Sequence, residues 1–246
     1  DPTRRKTGGA LLGDRIRMRL GSRDPGVFLR SLAAREQLGG LAEGARAAVT
    51  VLGAVFDHVV VETVGVGQSE GEVAHLVDTL VYVVQPGAGD LLQFMKAGIL
   101  ELPDVFAVNK SDLGAAAERT RHELEAGLGL SEARKGGWQP PVVPVSARDD
   151  LGLDALDAAL ARHAAFLDED GGARRRERRR AGRDAFVLAT LAARYGHFGL
   201  QAVGGAPAVQ ERLRAEPEAS GFALVAGLGA EIEDALRKPA SEAAAP

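Results

Sequence analysis

Three polar side chains follow directly after a short apolar run: residues 105–113 read VFAVNKSDL, with Asn109, Lys110 and Asp112 at its end. Two interpretations fit these residues. One is a surface turn, because Asn, Ser and Asp form local hydrogen bonds between side chain and backbone. The other is a guanine site, in which the Asp112 carboxylate accepts from two adjacent donors on the base and the Lys110 stem lies along its face. The four residues alone do not decide between them.

A second segment supplies the rest of such a base pocket. PVVPVSA at residues 141–147 is another apolar run, and it ends in Ser146 and Ala147. These two residues would complete the pocket, with the Ala147 backbone amide directed at the guanine carbonyl. The segments ETVG, NKSD and SAR stand in this order at the ends of separate apolar runs, and this order favours a guanine reader over a simple turn.

The segment VVVETVGVGQSE at residues 59–70 carries groups suited to phosphate chemistry. Glu62, at the end of an apolar run, can hold Mg²⁺ directly or through water. Gly65 lets backbone amides approach a terminal phosphate, and Gln68 can orient an attacking water. The alternative is purely structural, since a strand, a carboxylate and a glycine turn occur together in many α/β proteins.

The opening stretch, DPTRRKTGGALLGD, places Asp1 and Asp14 on either side of a glycine-rich segment. Two such carboxylates could bind hydrated magnesium, while Asp1 as an ordinary charge and Asp14 as a helix cap before RIRMRL remain alternatives. No G-x-x-x-x-G-K-[ST] phosphate loop occurs in the sequence. PGAGD resembles half of one, but Asp90 follows Gly89 where a lysine is needed, and its carboxylate would repel phosphate.

These groups must be positioned by the elements that precede them. Four short apolar runs, at 59–61, 79–85, 105–109 and 141–147, alternate with helix-like stretches such as AAERTRHELEAGL. This alternation predicts a doubly wound, mostly parallel α/β sheet, with ligand groups at the carboxyl ends of the strands. After DEDGGARRRERRRAGRD the pattern becomes helical. We therefore predict a nucleotide-binding domain over residues 1–167 and a helical extension over 168–246.

Composition limits the classes of protein that remain. The 246 residues contain no cysteine, which excludes disulfides and thiolate metal sites and fits a cytoplasmic protein. No apolar run approaches the roughly 20 residues needed to span a bilayer, so we expect no membrane association. The net charge is −4, and the arginine run at 174–180 has no interleaved aromatic residues. We expect that run to be a solvated helix start or linker, and we expect no nucleic-acid partner.

The sequence resembles the MeaB/ArgK family of P-loop GTPases from residue 1 to about 165, through DPTRRKTGGALLGD, LGGLA, VVVETVGVGQSE, VDTLVYVVQPGAGDLLQFMKAGILE, VFAVNKSD and PVVPVSARDDLGLDAL. The resemblance implies a homodimeric chaperone that binds and hydrolyses GTP with Mg²⁺. Its partner would be an adenosylcobalamin-dependent mutase, usually methylmalonyl-CoA mutase, whose cofactor loading it controls and which it protects. By position, the resemblance implies metal and switch carboxylates at Asp1, Asp14 and Glu62, a second switch loop with Gln68, and guanine readers at Asn109, Lys110 and Asp112.

The sequence departs from the family in one respect. Family members carry a helical extension, a first strand and the P-loop before the counterpart of Asp1, and these segments are absent from the sequence. Losing four hydrogen bonds to phosphate would cost about 6 kcal/mol or more. We therefore expect a fragment with weakened nucleotide binding. A non-catalytic interaction module, a transport-system-linked kinase and a nickel-enzyme GTPase remain as alternatives, the last disfavoured because cysteine and a histidine-rich tract are absent.

Overall fold

The computed structural model describes residues 24–30, 43–63, 70–87, 99–129 and 137–237. These residues fall into two compact units. The sheet unit is Val73–Phe186, and the helical unit comprises the described parts of Asp1–Glu72 and Val187–Pro246. Within the described ranges, no helix is both long enough and apolar enough to cross a membrane.

A three-stranded parallel sheet, in the order β1-β2-β3, forms the centre of the sheet unit. Its strands are β1 (Val81–Val84), β2 (Val105–Val108) and β3 (Val142–Pro144). The ladder pairs Val81 with Val105 and Phe106 with Val142. The predicted parallel α/β sheet is therefore confirmed, and three of the four predicted apolar runs form strands in it.

The central strand β2 is buried along its whole length because both of its faces are covered. Phe106 and Val108 pack with Leu124 of helix α3 (Ala115–Gly129). Val105 and Ala107 pack on the opposite face with Ala159 of helix α4 (Leu153–Gln201). Burying a side chain as large as Phe or Val contributes about 1.5–3 kcal/mol. The carboxyl end of β2 is thus held by packing on both sides.

The predicted strand at Val59–Val61 is wrong. These residues belong to no strand or helix, and Val60 is 91% exposed. β-Branched residues favour an extended backbone, but a strand also needs a neighbour with which to form a hydrogen-bonded ladder. No strand that the structure describes pairs with this segment.

The helical unit contains helix α1 (Glu43–Leu52), the end of α4, α5 (Gly205–Ala215) and α6 (Gly221–Arg237). A short helix, α2 (Glu70–Ala74), lies where the two units join along the chain. Apolar residues at helical spacing form the core, including Val187, Leu191, Val209, Leu213, Leu228 and Ile232. The described residues after 168 are largely helical, as the sequence predicted. Helix α4 runs through residue 167, and the predicted domain division there stays a prediction.

Helix α4 changes its path at a glycine pair. Asp170, Gly171 and Gly172 have φ of 53°, 64° and 77°, in the left-handed region that favours glycine. Asp104 contacts side chains on both sides of this point, His163 before it and Arg178 after it. The glycine pair therefore lets two parts of α4 reach one carboxylate at the start of β2.

Arginines after this glycine pair bind carboxylates of the sheet unit, which corrects the prediction of a solvated run. Arg178 donates to both oxygens of Asp104, at 3.1 and 2.7 Å. Arg179 donates to both oxygens of Asp78, at 2.8 and 2.6 Å. Arg175 reaches Asp78 as well, at 2.8 Å. The sequence reading failed here because the partners lie about 75 to 100 residues away in the chain.

Candidate guanine-reading site

The NKSD turn is held in place by backbone hydrogen bonds to the strands on either side of β2. The Asn109 amide donates to the Val84 carbonyl of β1, and the Ser111 amide donates to the Val145 carbonyl just after β3, both at 2.9 Å. The turn therefore sits at the carboxyl ends of the strands. Parallel α/β sheets bind their ligands at this edge.

Asp112 lies in the short 3₁₀ turn Ser111–Leu113, and a residue from the turn after β3 orients its carboxylate. The Ser146 hydroxyl donates to Asp112 Oδ1 at 2.8 Å. Ser146 is fully buried, and the Asp112 side chain is 10% exposed. The Asp149 amide in turn donates to Ser146 Oγ at 3.3 Å, which fixes the hydroxyl as a donor towards Asp112. One carboxylate is thus held at the mouth of the site with a limited approach from solvent.

Asn109 joins the NKSD turn to the SAR turn. Its side-chain oxygen accepts from the Lys110 amide at 2.8 Å and from the Ala147 amide at 3.3 Å. The Ala147 amide is the group predicted to meet the guanine carbonyl. The structure places it beside Asn109 in a long hydrogen bond. A hydrogen bond of this length is weak, so the Ala147 amide can exchange the Asn109 oxygen for a better acceptor.

Lys110 adopts a left-handed backbone conformation, with φ 61° and ψ 40°. Its ammonium donates to Gln85 Oε1 at 2.7 Å, and Gln85 follows directly after β1. Left-handed backbone costs a residue with a Cβ roughly 1–2 kcal/mol. Sequence reasoning missed Gln85, although its position after an apolar run was the same signal that identified Asn109.

Arg148 is a further side chain at this site that sequence reasoning did not assign. Its terminal nitrogen lies 3.0 Å from Asp112 Oδ2, and the same guanidinium makes two 2.9 Å hydrogen bonds to Asp149. The hydrogen bond with Asp149 is the largest cause that raises the pKa of Arg148, and the same bond lowers the pKa of Asp149. Both groups remain charged around neutral pH.

The structure brings together the predicted base-reading residues, which are Asn109, Lys110, Asp112, Ser146 and Ala147. It does not test the predicted phosphate and metal groups. Asp1, Asp14, Gly65 and Gln68 lie outside the described residues. Glu62 is exposed and belongs to the helical unit. No cluster of three or more His, Asp or Glu side chains suited to a metal ion occurs among the residues that the structure describes.

A parallel α/β sheet with NKSD and SAR turns at the carboxyl ends of neighbouring strands is typical of the guanine-nucleotide-binding class of α/β proteins. Residues 1–194 match the family model described as methylmalonyl Co-A mutase-associated GTPase MeaB. The chain belongs to this family, as its resemblance to MeaB/ArgK proteins predicted.

Relatives from archaea, bacteria and animals each match about three quarters of the chain. A Pyrococcus abyssi protein provisionally named as a GTPase is 46% identical over 73% of this chain and 56% of its own length. A Mycobacterium tuberculosis protein with a similar name is 40% identical over 72% of this chain and 54% of its own. The Caenorhabditis elegans "methylmalonic aciduria type A homolog, mitochondrial" is 37% identical over 72% of this chain and 45% of its own. The chain thus spans about half the length of these relatives.

Among solved structures, the chain is similar to a crystal structure of a protein named LAO/AO transport system kinase. It shares 26% sequence identity with this chain and gives a TM-score of 0.48, over 77% of this chain and 63% of that protein.

Proposed function

We propose that this chain supplies the guanine-reading half of a GTP-binding protein, with GTP and GDP as its ligands. The observation that carries the proposal is the placement of Asp112. Its carboxylate is held by Ser146 at the carboxyl edge of a parallel sheet, with Lys110 on the same turn. Guanine offers an N–H and an amino group side by side, and a carboxylate accepts both. Adenine presents no such pair, so this group selects guanine over adenine.

We further propose that the protein hydrolyses GTP with Mg²⁺ at its full natural length. Carboxylates are suitable Mg²⁺ ligands, and the resemblance assigns the ion to Asp1, Asp14 and Glu62. Bound Mg²⁺ would offset charge on the phosphates. In the same proposal, Glu62, Gln68 and Asp14 act in hydrolysis, and Gly65 approaches the terminal phosphate through its backbone amide. This part of the proposal is supported by ligand chemistry and family membership, since most of these residues lie outside the described ranges.

For the biological role, we propose a chaperone of an adenosylcobalamin-dependent acyl-CoA mutase, with methylmalonyl-CoA mutase as the first partner to test. The family description, a methylmalonyl Co-A mutase-associated GTPase, supports this role. We also propose that the protein forms a homodimer, as its resemblance to MeaB/ArgK proteins implies. A cytoplasmic location stays a prediction.

The guanine-reading function is tested by equilibrium binding of GDP and ADP to the protein at full natural length, with Mg²⁺ present. We expect GDP to bind at least about thirtyfold more tightly than ADP. This ratio is a lower limit. Each unpaired polar group in a site built for hydrogen bonding costs roughly 1–3 kcal/mol, and guanine makes two such bonds that adenine cannot make. Equal binding of the two nucleotides would overturn the proposal.

GTP hydrolysis and the chaperone role are tested by measurements other than nucleotide binding. Phosphate release from GTP, with and without methylmalonyl-CoA mutase, tests the enzyme and its partner together. Guanine binding without phosphate release would instead support the non-catalytic interaction module. Co-elution with the mutase would establish the partner in either case.

A further inference from the structure

Arg148 contacts the carboxylate that a bound guanine would use. Its terminal nitrogen lies 3.0 Å from Asp112 Oδ2, while Oδ1 accepts from the Ser146 hydroxyl. A guanidinium presents adjacent N–H donors to a carboxylate. The N1–H and 2-amino group of guanine form the same kind of donor pair. Arg148 therefore occupies a donor position on Asp112 that a bound guanine would require.

Asp149 offers Arg148 a second carboxylate. The Arg148 Nε and the same terminal nitrogen donate to Asp149 Oδ1 and Oδ2, each at 2.9 Å. Arg148 can therefore leave Asp112 and keep both of its bonds to Asp149. The Arg148 side chain is 72% exposed, so this movement removes little surface from water. The contact with Asp112 is consequently an exchangeable one.

Resting on the guanine-reading function proposed above, we propose that Arg148 is a specificity-determining residue that competes with the base for Asp112, and that Asp149 retains Arg148 when the base is bound. Guanine binds more weakly because the contact between Arg148 and Asp112 must first be broken, and the loss of affinity equals the free energy of that contact. Exposed ion pairs are weak, so the effect is roughly two- to fivefold in affinity.

The competition depends on which base is bound. Guanine needs both acceptor positions of Asp112, because it brings two donors. Hypoxanthine lacks the 2-amino group and brings one donor, so it can bind while Arg148 keeps its contact with Asp112. Removal of Arg148 should therefore strengthen the binding of GDP more than that of inosine diphosphate. A role for Arg148 in folding alone would change both affinities together.

The test measures the dissociation constants of GDP and inosine diphosphate by calorimetry, on the protein at full natural length with Mg²⁺. For Arg148→Ala we expect GDP to bind roughly two- to fivefold more tightly, and inosine diphosphate to change by less than about twofold. For Asp149→Asn we expect weaker GDP binding, because Arg148 then has only one carboxylate to pair with. Arg162→Ala is the matched control, since it removes an exposed arginine from α4 and should leave both constants unchanged.

The outcomes separate this inference from the proposed function. Unchanged or weaker GDP binding by Arg148→Ala, with GDP still preferred over ADP by the wild type, would overturn the role of Arg148 alone. Stronger or unchanged GDP binding by Asp149→Asn would overturn the retaining role of Asp149. Failure of the wild type to prefer GDP over ADP, in the equilibrium binding test given above, would overturn the guanine-reading function and this inference with it.

Discussion

Ser146 Oγ donates a 2.8 Å hydrogen bond to Asp112 Oδ1, and the two residues are 34 positions apart in the chain. The bond joins the turn after β2 to the turn after β3. Because Ser146 is fully buried, its hydroxyl has few competing partners, and the carboxylate keeps one orientation. An oriented acceptor is what recognition of a planar base requires.

Replacing Asp112 with asparagine should change the base that the site prefers. An amide presents one acceptor and one donor where the carboxylate presented two acceptors. Xanthine has an N–H beside a carbonyl, and this pair matches the amide. We expect Asp112→Asn to lose most of its affinity for GDP and to gain affinity for xanthosine diphosphate. Competition between the two nucleotides for the variant measures the switch, and Asp157→Asn on the exposed side of α4 should leave the preference for GDP intact.

Two substitutions of Lys110 separate the effect of its backbone conformation on stability from the effect of its side chain on GDP binding. Its φ of 61° is unfavourable for a side chain with a Cβ but is easy for glycine. We expect Lys110→Gly to be about 1 kcal/mol more stable than Lys110→Ala, because only alanine retains the strain. Both variants should bind GDP more weakly, since both lose the lysine stem. Denaturant unfolding and GDP titration of the pair test this, and equal stability would argue against backbone strain at Lys110.

Gly152 is required for the close approach of the chain to the end of β3. A Cβ at this position would lie 2.2 Å from the Pro144 carbonyl oxygen, and the residue has φ +72°. We expect Gly152→Ala to lower the free energy of unfolding by about 2–4 kcal/mol, since it combines a backbone clash with strain. Gly171→Ala is the control, because its φ is +64° but nothing lies within 4 Å of its added Cβ. Strain alone should cost Gly171→Ala about 1 kcal/mol.

The sequence predicts most of the sheet because its signals are local. VFAV is apolar on both faces and ends in turn residues, and Phe106 and Val108 are indeed buried against a helix. The same reasoning failed at Val59–Val61, where an apolar run has no described partner strand. It also failed for Arg178, whose partner Asp104 is 74 residues away. Charge alone does not show which carboxylate an arginine will meet, because that depends on the path of α4 after its glycine pair.

Asp104 joins α4 to the start of β2 and should be among the most sensitive positions in the sheet unit. Its side chain is 6% exposed, and it accepts from Arg178 and from the Leu80 amide. We expect Asp104→Asn to cost roughly 3 kcal/mol, since it removes the buried charge that the partly buried Arg178 guanidinium pairs with. Asp157→Asn, at an exposed position of α4, should change stability by less than about 0.5 kcal/mol. Urea unfolding at neutral pH compares the two, and similar losses would contradict the role assigned to Asp104.

Asp78 should make the free energy of unfolding of the sheet unit depend on pH in the acidic range. Burial of this carboxyl would raise its pKa, but hydrogen bonds and charges from Arg179 and Arg175 outweigh burial, and the net pKa is lowered. A carboxyl whose pKa is lower in the folded state stabilises the fold above its unfolded pKa of about 3.9. That contribution is lost as the pH falls through the pKa that Asp78 has in the folded state.

We therefore expect Asp78→Asn to be less stable than the wild type at pH 7 by about 1–2 kcal/mol, between the values for exposed and buried pairs. The difference should shrink as the pH falls from about 4 towards the lowered pKa of Asp78, because the wild type then loses its charge as well. Unfolding in urea across this range measures the difference. Asp157→Asn should give a difference from the wild type that is small at every pH. A constant deficit for Asp78→Asn down to the lowest pH would show that the lost hydrogen-bond acceptor, and not the lost charge, determines its contribution.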